Sequence, residues 1–339
     1  MNPKMRPRDS KSDVLYHDVD MPTQDQSLPK RSRYRRPSAF ATWVVLVVTI
    51  TTVACLGALR FYPGLSLLFA SGLKSRSPYC SRWNAVAGVQ VQLDQRADAE
   101  RIARASHIIR RERDLTLWAT PDGEYWVPSS DDSVLPILLA QSSRKIYGGR
   151  DWGVRQGDIV LDCGAYVGTY ARLALSSGAK LVVAIEPSPD SVECLRRNLA
   201  REVAEGKVVI YPKGIWDSET TLTLMVNPNN TAGNSFVEGV NSIAGIPVTT
   251  IDKLAGELKL PRVDFIKADV KGSTERLLRG GSAVIARDRP RIVLSTEETI
   301  DAPGSIAALA KKIQPAYEMK CGPCLVADKA IYTDVLFFR

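Results

Sequence analysis

The stretch GDIVLDCGAYVGTYARLALSS, residues 157–177, decides the fold. Asp158–Asp162 is a run of apolar and β-branched residues, the turn after it carries Gly164 and Gly168, and an amphipathic stretch comes at once behind it. Strand, glycine turn and helix in that order bring backbone N–H groups up to a ligand, because glycine turns tightly and has no Cβ to hold the ligand away. Downstream, Leu181–Glu186, Val208–Tyr211, Val263–Ala268 and Arg291–Ser295 are predicted strands. Residues 189–203 are a predicted helix, with Ser188 as N-cap, Pro189 in the first turn, and Val192, Leu195, Leu199 and Val203 along one face. Such alternation marks a parallel sheet covered by helices. Thr221–Val226 and Ile246–Val248 read as strands inserted after the third. Ala316–Lys320 and Ile331–Phe338 read as two final strands joined by a loop with a turn.

Glu186 stands at the end of the second strand, 24 residues after Asp162. In doubly wound sheets an acid at that place accepts hydrogen bonds from ribose hydroxyls. The turn itself is GxxxG preceded by an acid, whereas a pyrophosphate site asks for GxGxxG. An acid there suits a cationic amino-acid ligand, and the missing glycine pattern disfavours a nicotinamide dehydrogenase.

Taken together, the segments VLDCGAYVGTYARLAL (160–175), VVAIEPSPDSVECLRRNL (182–199), VTTIDKL (248–254), VDFIKADVKGSTERLLRGG (263–281) and RPRIVLS (289–295) resemble the FkbM family of S-adenosylmethionine-dependent methyltransferases. The resemblance covers about residues 157–338. It implies an α/β, Rossmann-like class I fold, a seven-stranded, mostly parallel sheet with an antiparallel last strand. Carried over by position, Asp162, Gly164, Ala165 and Gly168 would surround the methionine part of S-adenosylmethionine, Glu186 would hold the ribose, and Lys213-Gly214-Ile215-Trp216 would lie near the adenine. The implied reaction is methyl transfer to a hydroxyl, on a sugar, a glycan or a related small molecule.

Asp269 and Lys267 close the Val263–Ala268 strand at the mouth of the same site. Methyl transfer to a hydroxyl needs the acceptor oxygen in line with the methyl group and a group to manage its proton, which makes Asp269 the candidate base and Lys267 its assistant. The chain departs from its relatives here. After the aspartate they usually show an acidic residue and then Gly-Ala-Glu, where this chain has Val270-Lys271-Gly272-Ser273-Thr274. Many also carry a histidine soon after RPRIVLS, where Thr296, Glu297 and Glu298 stand. The only histidines are His17 and His107. The competing reading is therefore a catalytically silent module that keeps the cofactor fold.

Cys321-Gly322-Pro323-Cys324 has the spacing of a redox dithiol or half a zinc site. A loop between strands is the wrong place for a thioredoxin-type motif, and no second pair supplies zinc ligands, so a turn with two thiols is preferred and no metal is expected. Cys163 and Cys194 read as packing residues. Asn229-Asn230-Thr231 matches a glycosylation acceptor by chance as easily as by design.

Ahead of the methyltransferase-like region, residues 60–156 read as a juxtamembrane segment and N-terminal extension. WATPDGEYWV predicts a hairpin of Leu117–Trp118 and Tyr125–Val127, and residues 94–113 a helix. Ser38–Leu59 contains no charge for 22 residues, enough to cross a ~30 Å hydrocarbon layer as a helix. The stretch is longer than a signal-peptide core and comes after 37 polar residues, 1–37, read as a disordered basic tail. A second apolar run, FYPGLSLLFASGL, is too short to span.

The net charge of +8 lies entirely around this segment, +4 in residues 1–37 and +4 in 38–89, while 90–339 hold 32 basic and 32 acidic residues. A nucleic-acid partner would need basic charge concentrated on the folded part, so none is expected. Lys30, Arg31, Arg33, Arg35 and Arg36 before the span put the N-terminus in the cytoplasm by the positive-inside rule, which would export the rest. Against this, S-adenosylmethionine is made in the cytoplasm and the six cysteines form no obvious extracellular disulfide framework. The expectation is a single-pass anchor with a cytoplasm-facing domain. The oligomeric state is not legible.

Overall fold

Ala39–Phe61 form helix α1, which is long and apolar enough to cross a membrane and has no buried residue. Two of its threonines are satisfied within it: Thr49 Oγ1 donates to Val45 O at 2.8 Å and Thr51 Oγ1 to Val47 O at 2.9 Å. That is what a medium without water demands. The computed structural model describes residues 38–68, 74–75, 77–227, 230–236, 241–296, 302–327 and 330–339; the basic tail, Asn229, Glu297 and Glu298 lie outside them.

Residues 54–339 form one compact unit. After strand β1 (Lys74–Ser75), helix α2 (Arg82–Ala105) starts at Ser81, whose side chain accepts from Asn84 N. Strands β2 (His107–Glu112), β3 (Leu115–Thr120) and β4 (Gly123–Pro128) make an antiparallel sheet in that order. The expected hairpin is β3–β4, with Trp118 opposite Tyr125. The helix expected over 94–113 is corrected at both ends. It begins twelve residues earlier, and it stops at Ala105 because the β-branched pair Ile108-Ile109 belongs to a strand, Ile108 pairing with Trp118. Helix α3 (Leu135–Ser143) comes next.

The sheet predicted from 157 onward is present. In chain order come β5 (Ile159–Cys163), α4 (Thr169–Ser176), β6 (Leu181–Ile185), α5 (Pro189–Asn198), α6 (Ala200–Ala204) and β7 (Val208–Tyr211). Next are β8 (Gly214–Ile215), β9 (Thr220–Val226), β10 (Asn241–Thr249), α7 (Ile251–Glu257), β11 (Phe265–Ala268), α8 (Thr274–Gly280), α9 (Ser282–Asp288) and β12 (Arg291–Ser295). The chain ends with α10 (Ala302–Ile313), β13 (Met319–Cys321), β14 (Cys324–Ala327), β15 (Ala330–Thr333) and β16 (Val335–Phe338). Seven strands form the main sheet in the order β13-β16-β12-β11-β5-β6-β7, with β16 antiparallel to both its neighbours. The fold is α/β, a mostly parallel seven-stranded sheet with one antiparallel strand near its edge, as expected.

Alternate residues of the central strands pack to opposite faces, as a sheet buried on both sides requires. Leu161, Val183, Ile185, Ile266 and Ile292 join one cluster, Val160, Val182, Phe265 and Val293 the other. The helix expected over 189–203 breaks at Leu199 (φ −115°), Ser188 makes no side-chain capping bond, and Val203 is exposed. The extension shares a core with the sheet domain: Leu115, Leu117, Val127, Leu135 and Leu139 pack with Tyr166, Val167 and Cys194. Asn198 seals that junction, accepting from Trp126 N at 2.7 Å and donating to Trp126 O and Val167 O, both at 2.9 Å.

The C-terminal region holds the largest departure from expectation. The predicted strand Ile331–Phe338 is split at Asp334 into β15 and β16, and β15 pairs with β14 in a further hairpin to which β1 adds in parallel. Of the two thiols expected in a turn, only Cys321 is one, and Cys324 is not. It is disulfide-bonded to Cys80, 244 residues away, in a buried cluster with Ala85 and Ile331, while Cys321 is a free thiol. Hydrophobic docking of the α2 start onto β14 brings the two sulfurs together, a proximity that spacing along the chain cannot show.

Candidate functional site

Above the C-terminal ends of β5, β6 and β11 lies a cavity enclosing about 900 Å³ including its mouth. Gly164, Ala165, Glu186, Lys213, Gly214, Lys267 and Asp269 line it, so seven of the nine site residues expected from sequence come together in one place. Asp162 and Gly168 do not face it. The extension contributes Leu138, Gln141, Ser142 and Tyr147, and a roof loop contributes Thr231, Ala232, Asn234, Ser235 and Phe236. None of these was expected at the site from the sequence, where a segment without a catalytic motif gives no sign that it folds back over the sheet.

Asp162 is fully buried beneath the turn, because its partner on the next strand captures it. Lys267 is its register neighbour across β5 and β11, with Nζ 3.1 Å from Oδ1. The same ammonium donates to Gly164 O at 2.7 Å and lies 5.3 Å from the ring centre of Tyr147. Burial alone would lower the Lys267 pKa, but the Asp162 and Asp269 carboxylates outweigh it and raise it. Lys267 therefore stays charged as a brace in the cavity wall, and its bonds point into the framework. Gly168 sits at φ +92°, and a Cβ there would meet Leu199 and Leu195 at about 3 Å. Its task is to let α4 pack against α5.

The turn amides expected to point at a ligand are spent elsewhere. Gly164 N and Ala165 N both donate to Ile185 O at 3.0 Å, and Tyr166 N donates to Glu186 Oε2 at 2.9 Å. What remains on this wall is Glu186 as an acceptor, suited to hydroxyl donors, while Lys213 and Lys271 line the cavity elsewhere. Glu186 is 7% exposed, with Oε1 taking Ser188 N at 2.9 Å. Burial pushes its pKa up to about 7, against those two backbone hydrogen bonds. Each oxygen keeps a further lone pair for a ligand.

Asp269 is the chemical centre of the other half. Its Oδ2 accepts from Tyr147 O–H at 2.8 Å, its Oδ1 accepts no hydrogen bond among the described residues, and Lys271 Nζ lies 3.6 Å from Oδ1. Burial would raise its pKa, but Lys271, Lys267 and the Tyr147 hydroxyl together hold it below the usual carboxylate value. The substitution that looked like a missing carboxylate thus supplies the counter-charge that keeps Asp269 ionised. Gly164 allows this approach: at φ +76° its Cβ would fall 2.1 Å from Asp269 O.

Lys213 is half-buried, 3.8 Å from Glu257 and 4.0 Å from Glu219. Ile215 lines the cavity, whereas Trp216 packs edge-on against Phe236 and under Arg276. The Thr231 hydroxyl of the glycosylation-acceptor triplet donates to Asp131.

The family model of the methyltransferase FkbM domain matches residues 162–310. A search of curated proteins gave no match. Among solved structures the chain is similar to methyltransferase FkbM from Methylobacillus flagellatus, at 14% identity and TM-score 0.41 over 74% of this chain and 60% of that one. It is similar to precorrin-6y C5,15-methyltransferase from Geobacter metallireducens, at 15% identity and TM-score 0.32 over 61% and 86%. It is also similar to M. jannaschii TYW2 in complex with AdoMet, at 11% identity and TM-score 0.38 over 68% and 88%. The chain thus spans less than two thirds of the Methylobacillus protein. Residues 162–310 are thus similar to the methyltransferase FkbM domain.

Proposed function

We propose that the protein is a membrane-anchored methyltransferase that uses S-adenosylmethionine to methylate a hydroxyl of a sugar, a glycan or a related small molecule. The observation that carries this reading is Glu186: a carboxylate with free lone pairs in a cavity whose turn amides are already bonded. That wall receives ribose hydroxyls at Glu186, the adenine beside Gly214 and Ile215, and the methionine part between Gly164, Ala165 and Tyr147. When bound, the cofactor supplies an electrophilic methyl group on a sulfonium centre.

Asp269 then orients the acceptor hydroxyl, whose hydrogen is donated to Oδ1, the carboxylate oxygen that accepts no hydrogen bond among the described residues. A carboxylate held below its ordinary pKa is a weak base toward a free alcohol. It suffices once methyl transfer has begun, because the oxygen's proton becomes strongly acidic as the new C–O bond forms. Tyr147 and Lys271 hold the carboxylate in place and charged. The role given to Lys267 changes from assistant to brace.

The expected cytoplasmic placement of the domain rested on the cytoplasmic supply of S-adenosylmethionine and on the lack of a disulfide framework, and the Cys80–Cys324 bond removes the second of these supports. A buried disulfide fits an oxidising compartment, and the basic cluster at 30–36 exports the chain beyond α1. The proposed placement is therefore outside the cytoplasm, with cofactor delivered to that side. Calorimetric titration of the full chain in detergent with S-adenosylmethionine tests the cofactor reading. No heat of binding by a folded sample would overturn it and leave the silent module, and binding without S-adenosylhomocysteine production on any hydroxylated acceptor would favour that module too.

A further inference from the structure

Asp131 is a completely buried carboxylate that forms no ion pair among the described residues. It ends a single turn of 3-10 helix, Ser129–Asp131, in the extension. Four donors converge on it instead of a cation. Tyr166 O–H reaches Oδ2 at 2.7 Å, Thr231 N reaches Oδ1 at 2.9 Å, the Thr231 hydroxyl reaches Oδ2, and Ser130 Oγ reaches Oδ1 at 2.9 Å. A buried charge is tolerated when its oxygens are saturated in this way.

Two of those donors belong to the cavity. Tyr166 lines it and stands at φ +50°, a conformation that a large side chain adopts only when its surroundings fix it. Its backbone N–H is one of the two that hold Glu186. Thr231 begins the roof loop, whose other end is tied down where Ser235 Oγ donates to Lys271 O at 3.1 Å. A single carboxylate therefore joins three chain segments: the extension, the turn that orients the ribose-binding glutamate, and the roof over the ligand.

We propose that Asp131 is a positioning residue for the cofactor, acting through Tyr166 on Glu186 and through Thr231 on the roof. This rests on reading the cavity as the S-adenosylmethionine site. It also gives the extension, in which the sequence shows no chemistry, a part in forming that site.

The test is calorimetry of S-adenosylmethionine binding to the full chain in detergent, with thermal unfolding of each unliganded sample alongside. Asp131→Asn keeps the shape but turns an N–H₂ toward donors, and should weaken binding about tenfold or more. Tyr166→Phe should lose a comparable part of that affinity, and the double variant should be no weaker than Asp131→Asn, since both act along one path. Ser130→Ala removes a donor from the same carboxylate without touching the cavity, and its dissociation constant should match wild type. If Asp131→Asn fails to fold, Tyr166→Phe and Thr231→Val against Ser130→Ala carry the same comparison. Binding at wild-type strength in the Tyr166 and Thr231 variants, or equal weakening by Ser130→Ala, overturns the proposal while leaving the cofactor reading intact. A wild type that does not bind overturns both.

Discussion

Lys267 and Asp162 face each other across adjacent parallel strands, Nζ 3.1 Å from Oδ1, with the aspartate fully buried and the lysine 4% exposed. The most motif-like acid in the chain is thereby committed to holding β5 and β11 in register beneath the cavity. Removing one partner of such a pair leaves a buried charge alone and costs about 3–5 kcal/mol. Asp162→Asn and Lys267→Met are each expected to lower the unfolding midpoint strongly, and the double variant to recover much of the loss. Single variants as stable as wild type, yet unable to bind S-adenosylmethionine, would show direct cofactor contact instead.

Glu186 gives the site a pH dependence. Its pKa, raised by burial from the ordinary 4.5 to about 7, means that the protonated form suits the unliganded fold. Its contribution to stability is full below about pH 4.5 and declines as pH rises through 7. Binding runs the other way, because a carboxylate accepts ribose hydroxyls better than a carboxylic acid does. Cofactor affinity should rise from about pH 6 to about pH 8, with proton release on binding near pH 7 seen as a buffer-dependent heat. Glu186→Gln should remove the part of this dependence that exceeds the ligand's own titration. An affinity that falls over the same interval would show that Glu186 does not bind as the anion.

The sheet was legible because its strands are buried on both faces and stand out as β-branched runs, and the turn because Gly164 and Gly168 punctuate it. The cavity's floor could be placed from those two features. The remainder is set by contacts between distant segments. Asp162 reads as a ligand until β11 places Lys267 beside it, and Lys271 reads as a loss until it is found 3.6 Å from Asp269. Tyr147 and Asp131 lie in a segment whose pattern shows only a hairpin and short helices. For the cysteines, nearness in sequence pointed to Cys321 and Cys324, whereas packing of α2 on β14 selected Cys80.

Gly164 offers a test of how closely the two halves of the site must meet. A methyl group there would fall 2.1 Å from Asp269 O, which is backbone and cannot swing aside. Gly157 has a similar φ, +86°, with open space around its missing Cβ. Both alanine variants carry a left-handed backbone cost of about 1–2 kcal/mol. Only Gly164→Ala should also displace Asp269, so it should lose more stability than Gly157→Ala and most of its cofactor affinity. Equal behaviour of the two would mean that the loop carrying Asp269 shifts freely and that its position is not set by the turn.

The disulfide makes the proposed side of the membrane testable. Cys80 and Cys324 are both buried, so in an oxidising compartment they are bonded and resist alkylation, while a cytoplasmic domain would present two thiols once unfolded. In cells quenched with acid and then denatured, a mass-tagged maleimide should mark four cysteines, Cys55, Cys163, Cys194 and Cys321, and should mark Cys80 and Cys324 only after reduction. Protease added to sealed cells or vesicles should reach the domain from the non-cytoplasmic face alone. Cys80→Ser should cost about 2–5 kcal/mol, since the bond closes a loop of 244 residues. Six reactive thiols in the denatured, unreduced sample would place the domain in the cytoplasm and restore the expectation that cofactor supply alone suggests.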